Sequence, residues 1–264
     1  MTVTIAVAGK GGTGKTTVAA LLIRYIVENR LGDILAIDAD PSTNLNLALG
    51  VEVEDTVGDI REEALEVVSG KMGVGISKQD YLDLRIAQSL VEEEGFDLLA
   101  MGRPEGPGCY CAANNILRLC IDRLSKAYDY VVIDNEAGLE HLSRRTTRDV
   151  DFLLLISDPT VRGLVTVERA VALAEKLKIR VGQTHLILNR VPINEEGKAL
   201  LNPKLEAIIA AQKLPLAGLI PEDPAVAEFD AFGRPLFELP EGSPVYRAVK
   251  EVIYTLNGLS ANKG

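Results

Sequence analysis

Short continuous runs of apolar residues recur along the chain, and between them apolar residues return every three or four positions. Continuous runs are typical of strands buried on both faces of a parallel sheet. The spacing between the runs is that of helices with one buried side. Strands are predicted at residues 4–8, 34–37, 98–101, 130–133, 152–156, 184–188 and 216–220, and helices at residues 15–28, 114–126, 164–177 and 203–213.

This alternation of strand and helix predicts an α/β fold. The expected architecture is a doubly wound, mostly parallel sheet of about seven strands with helices on both faces. No shift in composition and no long linker divides the sequence, so residues 1–264 are predicted to form one domain.

Two segments are harder to assign. Within residues 50–95, helical spacing over 59–68 and 81–93 flanks a glycine-rich stretch at 69–76, and either an insertion or a flap would explain the pattern. Residues 246–256 are predicted as a terminal helix with one apolar stripe. Its polar face is only sparsely basic, which favours packing on the domain's own sheet over a membrane-targeting role.

Charge and cysteine content narrow the class of protein. The 264 residues contain 28 Lys and Arg against 38 Asp and Glu, a net charge of −10. An acidic chain lacks the electrostatic footprint of a nucleic-acid binder or of a protein held on anionic lipid. The first strand begins almost at Met1, so no signal peptide is expected. The three cysteines fall in one short stretch, which favours a reducing, cytoplasmic location over a disulfide framework.

The loop after the first predicted strand matches the phosphate-binding pattern G-x-x-x-x-G-K-[ST]. Glycines allow backbone N–H groups to wrap a phosphate, and the start of the next helix presents more of them. Lys15 is expected to reach the β- and γ-phosphates of ATP, and the Thr16 hydroxyl to hold Mg2+. The candidate nucleotide-binding residues of the loop are Gly9, Gly11, Gly12, Thr13, Gly14, Lys15, Thr16 and Thr17.

A second lysine, Lys10, lies too early in the loop to duplicate the role of Lys15. Residues 10–17 resemble the deviant Walker A motif of the family that includes the nitrogenase iron protein, the MinD and ParA ATPases, and metal-cluster assembly ATPases. This resemblance implies a homodimer in which Lys10 reaches the partner's nucleotide and takes part in hydrolysis. The alternative is a solvated lysine beside a phosphate site.

Acidic residues close two of the predicted strands. Asp38 ends the second strand, with Asp40 two residues on, and Asp134 ends the apolar run at 130–133 as in a Walker B motif. Such strand ends face the nucleotide in open α/β sheets. The family resemblance implies that Asp40 orients or activates the attacking water, that Asp38 lies near the magnesium and its waters, and that Asp134 supports the ion. The alternative for Asp38 and Asp40 is capping of the next helix.

Other candidate contacts depend on the same resemblance. Residues 135–138 match switch II, which implies that the Gly138 N–H contacts the γ-phosphate. Asn189 follows the strand at 184–188, and its amide can both donate to and accept from an adenine edge. Pro221 and Glu222 are expected to pass near the base. The role of His141, just after switch II, is left open.

The remaining signal is Gly108-Cys109-Tyr110-Cys111. Two thiolates one residue apart can face one metal ion, but they do not complete a tetrahedral site, so two more ligands from a symmetry-related copy are expected. A redox pair or two free thiols would give the same pattern. Cys120 lies on an apolar helix face and is interpreted as a buried small hydrophobe.

The loop, the cysteine pair and the stretch Asp-Asn-Glu-Ala-Gly-Leu-Glu-His together resemble the CooC family over residues 3 to about 240. Those proteins are nickel-insertion ATPases that mature carbon monoxide dehydrogenase and, in close relatives, acetyl-CoA synthase. The resemblance implies an ATP-dependent homodimer that binds Ni2+ or Zn2+ through Cys109 and Cys111. The second cluster cysteine of the nitrogenase iron protein has no counterpart at residues 138–145.

The leading hypothesis is therefore a cytoplasmic, homodimeric Mg-ATP hydrolase that delivers nickel to a client enzyme, carbon monoxide dehydrogenase or acetyl-CoA synthase. No nucleic-acid partner and no stable membrane association are expected. Two alternatives stay open: a positioning ATPase of the MinD or ParA kind, and an ATP-driven reductase like the nitrogenase iron protein.

Overall fold

The apolar runs of the sequence assemble into one sheet with helices on both faces. A computed structural model describes residues 2–68, 78–103, 116, 119, 121–137, 149–177, 179–196, 198–211 and 214–256. Within these residues the strands are β1 (Val3–Gly9), β2 (Ile34–Asp38), β3 (Val91–Glu93), β4 (Phe96–Ala100), β5 (Tyr130–Asp134), β6 (Asp149–Ser157), β7 (Arg180–Val191) and β8 (Leu216–Pro221).

The helices lie between these strands and after the last of them. They are α1 (Lys15–Glu28), α2 (Leu45–Leu49), α3 (Val57–Val68), α4 (Lys78–Gln88), α5 (Val161–Lys176), α6 (Pro203–Ala211), α7 (Pro224–Ala231) and α8 (Pro244–Thr255), with short 3-10 turns at Ser125–Ala127 and Leu236–Glu238.

The strand order is β3-β4-β2-β5-β1-β6-β7-β8, and every neighbouring pair is parallel except β3 and β4. The predicted doubly wound, mostly parallel α/β fold is confirmed. After β1 the chain turns to β2 on one side, and after β5 it passes β1 to reach β6 on the other. In open α/β sheets such a reversal leaves a crevice at the carboxyl ends of the strands.

Side chains alternate between two apolar layers along each central strand. In β1, Ile5 and Val7 pack with α1 and α8, whereas Ala6 and Ala8 pack on the opposite face with α3 and α5. All four are fully buried. Burial on both faces explains why the strands read as continuous apolar runs.

The sheet has eight strands where about seven were expected, and one stretch of helical spacing is only partly helical. An eighth strand, β3, pairs antiparallel with β4, and Val91 lies opposite Leu98. The stretch of helical spacing at residues 81–93 is therefore helical only as far as Gln88. Val91 continues the helical apolar spacing, but a turn at Gly95, with φ of +92°, folds the segment back as a hairpin. Pairing with the sheet thus overrides local periodicity.

The terminal helix packs on the chain itself, as predicted. Val249, Val252 and Ile253 on α8 are each at most 3 % exposed and belong to the same apolar layer as α1. The Arg24 guanidinium of α1 lies 4.1 Å from the centre of the Tyr246 ring and ties the two helices together. Across the part of the chain described, no helix is long and apolar enough to cross a membrane.

Several predicted features lie wholly or partly outside the described residues. The glycine-rich stretch at 69–76 is one, and part of the helix predicted at 114–126 is another. The parts of residues 50–95 that are described pack on the sheet, where Val57 and Ile60 of α3 are fully buried.

Candidate functional site

The phosphate loop joins β1 to α1 at the carboxyl edge of the sheet. It leaves β1 at Gly9, where a β-carbon would lie 2.2 Å from the Ile156 carbonyl oxygen of β6, so only glycine allows the two strands this approach. The loop enters α1 through Gly14, whose φ is +87°. Among the described residues no side chain caps α1, and its first turn has no acidic residue. The helix N-terminus therefore offers its N–H groups to an anion.

Inside the loop, polar groups converge on the backbone carbonyl of Lys10. The Thr13 hydroxyl donates to this oxygen at 2.8 Å, and Lys15 Nζ lies 3.5 Å from it. Lys15 is 8 % exposed and Thr13 is 4 % exposed, whereas Lys10 itself is exposed. The loop thus holds a buried ammonium group at the start of α1 and leaves the second lysine side chain on the surface.

The carboxyl group of Asp134, at the end of β5, faces the phosphate loop. The Thr16 hydroxyl donates to its Oδ2 at 2.6 Å, and Asp134 is 1 % exposed. Its other oxygen, Oδ1, is buried without a hydrogen-bond partner in the described part of the chain. Burial is the main cause that raises the pKa of this carboxyl to about 7. A buried carboxylate oxygen with no partner is costly unless a cation or water satisfies it.

These groups fit a magnesium ion. Mg2+ prefers hard oxygen ligands and keeps several of its waters. Asp134 supplies an unused carboxylate oxygen, Thr16 a hydroxyl, and Asp38 lies beside Asp134 in the register of β2 and β5. These donors therefore fit the ligand preference of Mg2+.

Asp38 uses its carboxylate differently from Asp134. Its Oδ2 accepts the N–H groups of Asn44 and Leu45, each at 2.9 Å, and its Oδ1 accepts the N–H of Asp40 at 3.0 Å. The capping alternative raised from the sequence is therefore observed for Asp38, which holds the start of α2. Burial raises the pKa of Asp38 to about 6, although the N–H donors act in the opposite direction.

Asp40 lies on the turn that Asp38 organises. Its Oδ1 accepts the Ser42 N–H at 2.8 Å, and its backbone carbonyl accepts the Thr43 N–H at 3.1 Å. Thr43 has a positive φ of 43°, which is unusual for a β-branched residue. The half-buried Asp40 side chain is thus held at the loop rim.

Sequence reasoning missed Asn135, which follows Asp134. Asn135 is 1 % exposed, and both its backbone N–H and its side-chain Nδ2 donate to the Val7 carbonyl. These bonds tie the start of switch II to β1, directly below the phosphate loop. A polar residue immediately after a Walker B acid was the available signal, but its role depends on a contact 128 positions away.

The residues predicted to lie near the adenine base are found at the ends of β7 and β8. Asn189 is 6 % exposed, and its side chain contacts the phosphate loop. Pro221 pairs with Val191, and the Glu222 N–H donates to the Val191 carbonyl at 3.1 Å. The structure therefore brings the phosphate loop, the acids and these residues to one edge of the sheet. Their individual roles in nucleotide binding stay predictions.

Other candidates lie outside the described residues: Cys109, Cys111, Cys120, Gly138 and His141. Within the described ranges, no group of three or more His, Cys, Asp or Glu side chains could hold a metal ion. The transition-metal site inferred from the cysteine pair thus stays a prediction.

Comparison with known proteins agrees with this geometry. Residues 4–236 match the CbiA family, described as the CobQ/CobB/MinD/ParA nucleotide binding domain. The chain is 47% identical over 249 residues to an uncharacterized ATP-binding protein of Methanocaldococcus jannaschii, covering 94% of this chain and 96% of that protein. It is 32% identical over 253 residues to the carbon monoxide dehydrogenase accessory protein CooC of Rhodospirillum rubrum, covering 89% of each.

Among solved structures, the septum site-determining protein MinD from Pyrococcus horikoshii, complexed with Mg-ADP, superposes with a TM-score of 0.71. The two chains are 25% identical, and the match covers 100% of this chain and 99% of the other. The family match and the CooC relative together place this chain, by sequence, in the CobQ/CobB/MinD/ParA family of nucleotide-binding P-loop proteins.

Proposed function

We propose that this protein is an ATP-hydrolysing metallochaperone that drives nickel insertion into carbon monoxide dehydrogenase or acetyl-CoA synthase. The observation that carries the ATPase half is Oδ1 of Asp134, which is buried beside the Thr16 hydroxyl of the phosphate loop and has no hydrogen-bond partner among the described residues. The metal half is supported by Cys109 and Cys111 in a chain 32% identical to CooC.

In this proposal the phosphate loop and the residues at the ends of β2 and β5 have different roles in hydrolysis. Lys15 and the N–H groups at the start of α1 bind the phosphates, and Asp40 orients the attacking water. Thr16 and Asp134 would hold Mg2+, with Asp38 near the ion and its waters, and the ion would neutralise charge on the phosphates. Asp38 also keeps the loop around Asp40 in shape through its three N–H bonds.

The metal cargo would be shared between two copies of the chain. One chain offers two neighbouring thiolates, and a soft divalent ion prefers four ligands, so the economical site uses Cys109 and Cys111 from each subunit. Binding ATP and metal would each favour the homodimer and therefore each other. Lys10, exposed on the phosphate loop, would reach the partner's nucleotide in that dimer.

The positioning-ATPase alternative is less well supported. A terminal membrane-targeting helix would need its apolar face free, but in α8 that face packs against α1 and β8. The net charge of −10 also disfavours binding to anionic lipid or to DNA.

The deciding experiment is metal analysis of anaerobically purified protein, with and without Mg-ATP, together with its mass in solution. We expect one Ni2+ or Zn2+ per dimer, with affinity falling at low pH because protons compete for the thiolates. The Cys109→Ser, Cys111→Ser double variant should lose the metal and keep its ATPase activity, and Cys120→Ser is the matched control. One metal ion per dimer of the double variant, or metal carried by monomers, would overturn the metal half of the proposal.

The role of Lys10 is tested by sedimentation with a non-hydrolysable ATP analogue. Lys10→Ala should weaken nucleotide-dependent dimerisation more than it weakens nucleotide affinity. Dimerisation as strong as in the parent protein would instead identify Lys10 as a solvated loop residue.

A further inference from the structure

The side chain of Asn189 is held at both ends by backbone groups. Its Nδ2 donates to the Thr13 carbonyl in the phosphate loop at 2.7 Å, and its Oδ1 accepts the Arg190 N–H at 2.9 Å. A carbonyl requires a donor and an N–H requires an acceptor, so the two contacts define which end of the amide is which. Asn189 therefore bonds to the loop that would bind the phosphates.

An irregularity at the end of β7 aims Asn189 at that loop. The register between β7 and β8 shifts between Leu188 and Val191, so Asn189 and Arg190 bulge from the ladder. Arg190 has a φ of +56°, a strained conformation for a residue with a side chain. The bond from its N–H to Asn189 Oδ1 stabilises the bulge and the side chain together.

Holding the Thr13 carbonyl also orients the next N–H group. The peptide bond between Thr13 and Gly14 is planar and trans, so the Gly14 N–H points opposite to the Thr13 carbonyl. When Asn189 draws that carbonyl towards β7, the Gly14 N–H is directed away from β7. The direction of one N–H in the phosphate loop is thus set by a side chain outside the loop.

The contact also accounts for Gly14. A β-carbon at this position would lie 2.2 Å from Asn189 Nδ2, and the φ of +87° is itself unfavourable for other residues. The loop and the amide therefore fit together only when residue 14 is glycine.

We propose that Asn189 is a positioning residue for the phosphate loop, in addition to any contact it makes with adenine. Its amide keeps a second N–H and a second acceptor lone pair, so one side chain can serve both roles. Binding of adenine to Asn189 would then hold the phosphate loop more firmly in place. The inference rests on the proposed ATP site, but it concerns how the loop is held and not what is hydrolysed.

The test compares Asn189→Ala with Asn29→Ala in the full chain. Asn29 Nδ2 donates to the Tyr25 carbonyl at 2.8 Å, so the control loses the same kind of bond at the opposite end of α1. Hydrogen exchange is first measured without nucleotide. Asn189→Ala should speed exchange across residues 10–17 about tenfold, because the bond holding the loop is lost, and Asn29→Ala should leave this segment unchanged.

The second measurement is calorimetric titration with Mg-ATP and with magnesium tripolyphosphate, which has no base. Loss of loop positioning should weaken both ligands by a similar factor, about tenfold. Unchanged exchange in the loop, or weaker ATP binding with unaltered tripolyphosphate binding, would identify Asn189 as a base contact only and overturn the proposal. Failure of the parent protein to bind or hydrolyse ATP would refute the proposed function instead, and the exchange measurement would still decide the role of Asn189.

Discussion

The ends of β2 and β5 present the same side chain in neighbouring positions but use it in opposite ways. Asp38 and Asp134 lie opposite each other in the register of the two strands, and both are at most 1 % exposed. Asp38 accepts three backbone N–H groups, whereas Asp134 accepts one hydroxyl and keeps Oδ1 without a partner in the described residues.

The Asp38 carboxylate thus holds the surrounding backbone, whereas the Asp134 carboxylate leaves one oxygen available to a ligand. Hydrogen bonds from N–H groups stabilise the charged form of Asp38 and return part of the cost of burying it. Asp134 lacks that compensation, and burial raises its pKa further, to about 7 against about 6 for Asp38. The proposed magnesium site rests on this buried oxygen, which has no partner within the described ranges.

The largest effect is expected from Asp134→Ala. Loss of the oxygen proposed to bind Mg2+ should slow ATP turnover on the order of 10³-fold. The free energy of unfolding should change by only about 1 kcal/mol, because one hydrogen bond and one unsatisfied oxygen disappear together. Steady-state ATPase assays and urea denaturation measure the two quantities.

The matched control is Asp129→Ala, an exposed carboxylate just before the other end of β5. It should leave turnover unchanged. Equal losses of turnover in the two variants would remove the distinction between the two ends of the strand.

Asp40→Ala should have the next largest effect. Asp40 lies at the loop rim, and its removal should slow ATP cleavage about a hundredfold while ATP affinity stays within a few-fold of the parent. The physical reason is that water positioning is lost and the phosphate contacts of Lys15 are not. Turnover and equilibrium binding of ATP are measured on the same preparation, and near-normal turnover would contradict the assigned role.

Much of this fold could be predicted from the sequence because its central strands are buried on both faces. Most of the strands contain a continuous apolar run, and the helix at Lys15–Glu28 was predicted with its observed limits. The strand β3 could not be predicted in this way. It has three residues at the sheet edge, and only Val91 among them is apolar, so its structure depends on pairing with β4.

The residues of the candidate site likewise fall into two groups: those predicted by local sequence patterns and those that depend on contacts between distant parts of the chain. Gly14, Lys15 and Asp134 could be predicted because glycine spacing and a strand ending in an acid are local patterns. The loop-forming role of Asp38 and the bond from Asn189 to Thr13 could not be ranked from the sequence. They depend on which backbone groups come within 3 Å of a side chain, and the Asn189 contact spans 176 positions.

The third prediction concerns Asp38→Ala, which should mainly reduce stability. Three N–H groups around the start of α2 would lose their acceptor, and the relief of a buried charge offsets part of that loss. We expect a decrease of about 2 kcal/mol in the free energy of unfolding, larger than for Asp134→Ala. Asp38→Asn keeps an acceptor oxygen and should fall between the parent and Asp38→Ala. If Asp134→Ala proves the less stable of the two alanine variants in urea, the proposed contrast is wrong.

The last effect is a pH dependence to which the carboxyl groups at the ends of β2 and β5 should contribute unequally. The pKa of Asp134 is raised from its usual value of 3.8 to about 7 in the folded protein. Between those values the folded protein binds more protons than the unfolded chain, so stability falls as pH rises and levels off above about pH 7.

For each carboxyl the slope is at most about 1.4 kcal/mol per pH unit. Asp134→Asn should remove the contribution of Asp134 to the pH dependence of the free energy of unfolding, which extends up to about pH 7. Asp38→Asn should remove the contribution of Asp38, which ends near pH 6. Mg-ATP affinity should rise over the same interval, because the ion requires the charged carboxylate. Urea midpoints of nucleotide-free protein from pH 5 to 8 test the assignment. If the urea midpoints of the parent and of Asp134→Asn change in parallel with pH, Asp134 is ionised over the whole range. Contacts other than those seen at the end of β5 would then stabilise the charged carboxylate.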